Sequence, residues 1–187
     1  MTLFEYVAAA YTLLLSFAVA RITAGLPYSI VKGRRYWVHL VMIGGLLFSI
    51  AMLFWNFWSH HDDADWTFPR FLLSLAPAII TQFMAATIIP SSSDEVESWE
   101  EFYYSIRKRY FSAWIGLGLV LAFSATVFWD IPLMHPAWGG PPLLIAWGAV
   151  GLSSSNPRVH ARLAVIAVAV SLPFGFLVFA APGSLVN

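Results

Sequence analysis

The densest group of titratable side chains runs from Asn56 through His60, His61, Asp62 and Asp63 to Asp65. Imidazole and carboxylate together suit zinc or another divalent cation. A later segment contributes Asp130 and His135. His60, His61, Asp62, Asp63 and His135 are therefore the candidate metal ligands. The spacing also admits a plainer origin. Adjacent histidines point in different directions on any regular element, and neither His-x-x-x-His nor His-Glu-x-x-His occurs. A short polar loop that keeps two helix ends in water accounts for the same residues.

A second set of polar residues is scattered through apolar surroundings. Glu5, Thr12, Ser16 and Thr23 return to nearly one helical face, given 3.6 residues per turn. Thr81 and Gln82 lie close after Pro77, which has no N–H and frees a carbonyl one turn earlier. With Arg21, His39 and Asn56, the set Glu5, Thr12, Ser16, Arg21, His39, Asn56, Thr81 and Gln82 is the candidate lining of a polar path. Simpler roles compete. Ala8, Thr12, Ser16 and Ala20 form a small-residue stripe suited to close helix packing in lipid. Arg21 can extend its guanidinium to the membrane surface.

His39 and His160 open two apolar segments, and a histidine pair at one depth can ligate haem. Haem is nonetheless not expected. On one helix His39 and His60 stand about 31 Å apart, so they cannot share a haem, and His135 sits among prolines rather than in a helical pattern. No nucleophile elbow, phosphate-cradling glycine loop or metalloprotease helix is present. The sequence thus names no catalytic residue and no definite cofactor, and argues against an enzyme.

These residues are carried by a chain with membrane composition. Of 187 residues, 59% are apolar and only 11% charged, with a mean hydropathy of +0.73; soluble domains carry roughly 25% charged residues. Ten basic and ten acidic residues cancel, which leaves no excess positive field for nucleic acid. There are no cysteines, which removes disulfides and thiolate metal sites.

A crossing of a hydrocarbon core roughly 30 Å thick takes about 20 apolar residues. Uncharged stretches of that kind predict spans over Phe4–Leu26, Val38–Trp58, Phe71–Ile89, Tyr110–Trp129, a fifth from about Leu143, and Leu163–Ala181. The first is expected to be a retained helix rather than a signal peptide, since Glu5 stands where basic residues belong. The expected fold is all-α: a single polytopic domain over 1–187, six transmembrane helices with short loops.

Lys32, Arg34, Arg35, Arg107, Lys108, Arg109, Arg158 and Arg162 fall in the odd-numbered connections, against Arg70 alone in the even ones. The positive-inside rule places the odd connections in the cytoplasm and both termini on the other side. Trp55, Trp58, Trp66, Trp129 and Trp138 fall at the expected outer boundary. In the third connection Asp94 and Glu97 suggest a capping box, and Val96, Trp99, Tyr103, Ile106 and Tyr110 share one helical face. That pattern predicts a separate interfacial helix at the cytoplasmic surface before the fourth span. Pro77 and Pro173, each within the third helix of its half, raise a 3+3 inverted repeat. The pairs Gly44–Gly45 and Ser112/Gly116 are expected to ease helix packing.

The functional expectation is a small transporter or channel for a small solute or ion in a cell membrane, most naturally a bacterial inner membrane. The alternative is a non-catalytic subunit, assembly factor or sensor acting through a partner, and the third reading is an interfacial metal- or cofactor-dependent enzyme using the outer His/Asp cluster. The lipid bilayer is the expected partner in each case, with a homo-oligomer or a membrane protein beside it.

Overall fold

The helices Leu3–Ser29 and Phe68–Ile88 each begin where a threonine supplies the cap. In a computed structural model, which describes residues 2–31, 35–63, 65–90, 96–127 and 136–178, the first helix, α1, spans Leu3–Ser29. Thr2 Oγ1 accepts from the Glu5 N–H at 3.2 Å and the Thr2 N–H donates to Glu5 Oε2 at 2.7 Å. This reciprocal box satisfies two orphan donors. Helix α2 spans Trp37–Phe57 and runs into a 3₁₀ turn at Trp58–His60. Helix α3 spans Phe68–Ile88, capped by Thr67, with a proline in its first turn. Helix α4 spans Trp99–Val127. A 3₁₀ turn at Pro136–Gly139 leads into α5, Gly140–Ser153, and α6 spans Pro157–Val178.

The described residues form an all-helical bundle. Five of its helices, all but α5, are long and apolar enough to cross a membrane. The chain is therefore an integral membrane protein in contact with lipid. The N-termini of α2, α4 and α6 meet at one end: His39 packs on Trp99, and Tyr103 bonds His160. The basic connections lie at this end. At the opposite end Phe4 and Tyr11 stack on Phe57, and Tyr6 on Phe71.

Helix α1 uses Val7, Tyr11, Leu15, Ala18, Ile22, Gly25 and Ser29 as its buried stripe. Its main neighbour is α3, which also packs on α4. The most extensive pairing is α4 with α5, and glycine makes it close. A Cβ on Gly148 would come within 2.8 Å of the Phe111 carbonyl, and one on Gly118 within 2.8 Å of the Pro141 carbonyl. Helix α6 packs on α2 through Gly175, against Phe48 and Met52.

Several sequence expectations change here. The face carrying Val96, Trp99, Tyr103 and Tyr110 belongs to no separate interfacial helix. From Trp99 it is part of one continuous 29-residue α4, because no proline interrupts 99–127. Those four residues are buried in the bundle instead of lying on lipid. Asp94 lies outside the described residues. Helix α5 starts at Gly140, ahead of Leu143, since prolines are tolerated in a first turn. Its 14 residues make it about 21 Å long. The halves also pack differently: α1 lies along α3, whereas α4 pairs with α5 and not extensively with α6. That speaks against an inverted repeat. Gly44, Gly45 and Gly116 face open space, and Ser112 is exposed; Gly118, Gly148 and Gly151 do the packing.

This contrast is testable. Gly148→Leu should lower bundle stability by about 1–3 kcal/mol through overpacking, read by thermal unfolding in detergent. Gly116→Leu, at an open position, should leave the transition within experimental scatter.

Candidate functional site

At the end opposite the basic connections, the candidate metal ligands divide into two pairs. His60 Nδ1 lies 2.9 Å from Asp63 Oδ2, and His61 Nε2 lies 2.9 Å from Asp62 Oδ2. The other nitrogen of His61 bonds the Trp58 carbonyl at 2.9 Å, so it must donate there. The Asp63 carbonyl accepts from Trp66 Nε1 at 2.9 Å. No three histidine or acidic groups gather into a metal-sized cluster among the described residues. His135 lies outside them.

The polar residues proposed for a path face different ways. Glu5 is held in the cap of α1. Thr12 and Ser16 are exposed and line open surface grooves on α1, one of them shared with Ala51 and Phe54 of α2. Ser16 Oγ donates to the Thr12 carbonyl at 2.8 Å. The polar stripe of α1 follows its packing stripe by one residue (Thr12 after Tyr11, Ser16 after Leu15, Thr23 after Ile22). One residue is a rotation of about 100°, which turns the hydroxyls out of the bundle.

Thr81 is buried, and its hydroxyl donates to the Pro77 carbonyl at 2.7 Å. Gln82 is half-buried; its Oε1 has no hydrogen-bond partner among the described residues, and neither has Asn56 Oδ1. Arg21 reaches across to α3, where Nη2 donates to the Ile89 carbonyl at 3.0 Å. Ile89 is the C-cap of α3, so a cation from one helix closes the negative end of another.

The most connected polar site lies at the basic end. Arg107 Nη1 is 3.0 Å from the Gly151 carbonyl, 2.6 Å from that of Leu152 and 2.6 Å from that of Ser154. It collects the carbonyls that end α5, which have no partner inside their own helix. His160, fully buried, shares the last of these: Nε2 lies 2.8 Å from the Ser154 carbonyl, and Nδ1 lies 2.8 Å from the Tyr103 hydroxyl. A carbonyl only accepts, so Nε2 carries the proton and Nδ1 of the neutral ring accepts from Tyr103.

Aromatic rings wall this site. Tyr103, Tyr104 and Phe111 pack on His160. Tyr36, ahead of α2, packs on Tyr103 and lies 3.2 Å, hydroxyl to hydroxyl, from Tyr104. Burial, then the Tyr104 hydroxyl and the Glu100 charge, push the Tyr36 phenol well above its ordinary range, so it stays neutral. His39 is fully buried, 5.0 Å from Trp99 ring to ring and edge-on to Phe102 and Tyr103. Neither of its nitrogens has a hydrogen-bond partner among the described residues.

Of the polar-path candidates only His39 belongs to this site, and His160, the other histidine that opens an apolar segment, lies at its centre. Tyr103, Arg107 and Ser154 complete it. A signal existed for Arg107: it falls four residues after Tyr103 and three before Tyr110, on the buried face of α4. Comparison of the chain with protein-family models, with curated proteins and with solved structures gives no match.

Arg107→Met should destabilise the bundle by about 2–3 kcal/mol, the scale for hydrogen bonds to a charged group plus the carbonyls left unpaired. Lys108→Met, at an exposed neighbour, should change stability by less than about 0.5 kcal/mol. Thermal unfolding of the two variants in one detergent compares them directly.

Proposed function

We propose that this protein is a non-catalytic membrane module, a subunit or sensor that works through helix packing and a partner protein. The observation that carries this reading is the use made of its polar groups. Arg21 and Arg107 end neighbouring helices, Thr81 bonds its own backbone, and Thr12 and Ser16 face outward. Val7, Tyr11, Leu15, Met84, Ile88 and Tyr110 occupy the interior between α1, α3 and α4. Helix α6 meanwhile leaves Val165, Ile166, Val168, Val170 and Leu172 exposed along its length. That surface suits lipid and a partner helix.

Six crossings fit this arrangement. Laid end to end, α5 and the 3₁₀ turn before it, 14 and 4 residues, rise about 29 Å, close to the hydrocarbon thickness. The excess of basic residues then puts the odd connections in the cytoplasm and both termini outside, in a bacterial inner membrane. Ser155→Cys should resist an impermeant thiol reagent in intact cells and react after lysis, whereas Asp65→Cys should react at once; the reverse pattern overturns the orientation.

Transport remains the second reading, and Gln82 favours it: an amide oxygen enclosed beside Pro77 without a hydrogen-bond partner is a group that a solute or water can use. Flux through proteoliposomes separates the two. The module reading expects ion and solute flux no greater than through empty vesicles. It also expects a photocrosslinker at Ile166 to give one discrete protein adduct in cells. Flux that Gln82→Leu abolishes while the fold is retained would establish transport instead.

A further inference from the structure

Ser154 is the C-cap of α5, and α6 begins three residues later. Its carbonyl accepts from two side chains of different helices, Arg107 of α4 at 2.6 Å and His160 of α6 at 2.8 Å. The connection is short and held: the Asn156 N–H donates to Ser154 Oγ at 3.1 Å, and Asn156 Oδ1 accepts from the Arg158 N–H at 2.9 Å. Beyond this point α6 is thinly attached. Its buried side chains past His160 are Leu163 and Ala164, and further along Gly175 is buried against α2. The first turns of α6 are docked by His160 together with Leu163 and Ala164, and His160 supplies the side-chain hydrogen bonds that tie them to α4 and α5.

We propose that His160 is a proton-operated latch that holds α6 to α4 and α5 while neutral and releases it when protonated. Two features make the neutral ring necessary. First, a proton on Nδ1 would set an imidazolium and the Arg107 guanidinium on the same carbonyl, two cations sharing one acceptor. Second, Nδ1 would change from acceptor to donor. The Tyr103 hydroxyl would have to accept from it, and its own proton would lose its acceptor among buried rings.

Among the described residues, no carboxylate contacts the ring to offset the added charge. The titratable and charged groups around the ring are Tyr103, Tyr104 and Arg107 from α4, with Tyr36 before α2 and His39 on α2 lying against Tyr103. Helix α5 carries no titratable side chain. On α6 itself Arg158 and Arg162 are exposed and add positive potential. Glu100, the acidic residue beside Tyr36, is two turns of α4 from Arg107. The latch is therefore present at neutral pH and lost as pH falls, the usual direction for a histidine buried neutral.

The proposal does not depend on whether the protein transports or signals. The cysteine-free chain allows a direct test. The full-length protein, reconstituted in lipid bilayers, carries nitroxide labels at Ser112→Cys of α4 and Ile166→Cys of α6, both exposed positions. Electron paramagnetic resonance reads their distance distribution from about pH 8 to about pH 5, the range in which histidine changes charge. A single narrow distance at high pH should broaden reversibly on acidification. His160→Gln, which supplies a neutral donor and acceptor, should keep the narrow distance throughout. Arg107→Gln, which removes the competing cation, should move the midpoint upward by about one pH unit. This variant decides the matter if His160→Gln does not fold. No acid response in the parent, an identical response in His160→Gln, or an unmoved midpoint in Arg107→Gln overturns the latch.

Discussion

A helix that ends within a membrane protein leaves carbonyls with no partner, and hydrocarbon offers none in return. The bundle depends on how that requirement is met at the end of α5. The Arg107 guanidinium gathers the carbonyls of Gly151, Leu152 and Ser154. To do so, α5 must lie against α4 along its length. Glycine at 118, 148 and 151 allows this, since each stands where a Cβ would strike the facing helix. Arg21 repeats the device on a smaller scale at the end of α3, where Gly25 lies against Ile89. Cation and glycine act together: the small residue permits the approach, and the guanidinium needs it.

The same constraint organises the rest of the basic end. Once Arg107 is committed to α5, its helical neighbours Tyr103 and Tyr110 face into the bundle. Tyr103 then meets His160, and Tyr110 donates to the Met42 carbonyl of α2 at 3.3 Å. His39 closes the aromatic layer against Trp99. The result is a polar network whose hydrogen bonds are made almost wholly between helices. Networks of this kind fix one arrangement when all members are satisfied, and are sensitive to a change in any of them. The ends of α1 and α6 differ for this reason. Helix α1 is held along its whole length by a regular apolar stripe, whereas α6 depends on contacts near its N-terminus and at Gly175.

For function, the distribution of polar groups matters more than their number. Hydroxyls that bond their own preceding turn, as Ser16, Thr23 and Thr81 do, are inexpensive in lipid and need no water-filled neighbour. Guanidiniums that cap helices are likewise occupied. What is left among the described residues includes Asn56, Gln82, His39 and the surface of α6. A module that responds through its packing requires less than a transporter does: one element held weakly enough to move, and a neighbour to register the movement.

Much of the architecture was legible in the amino-acid order alone, because burial in lipid leaves a coarse mark. Long uncharged stretches became α1 to α4 and α6, and basic residues marked the end at which the odd connections lie. Helix caps were legible less evenly; the α1 box is spelled out by Thr2 and Glu5 themselves, while the end of α5 is written in another helix. Which face of each helix turns inward was decided by tertiary packing. In a membrane helix almost every position is apolar, so the period that marks an inward face in water is faint, and the visible polar stripe of α1 turned out to lie one residue past the packed one. Arg107 could be placed at a membrane end by its charge and on a helical face by its spacing. Its role required knowing that the carbonyls of α5, more than forty positions away, end within its reach. Hydrogen bonds between distant segments have no local signature, since they join groups that nearly every residue carries. The site of Arg107, Ser154, Tyr103 and His160 is therefore a product of the fold, and the sequence alone determined only the membrane helices that bring its parts together.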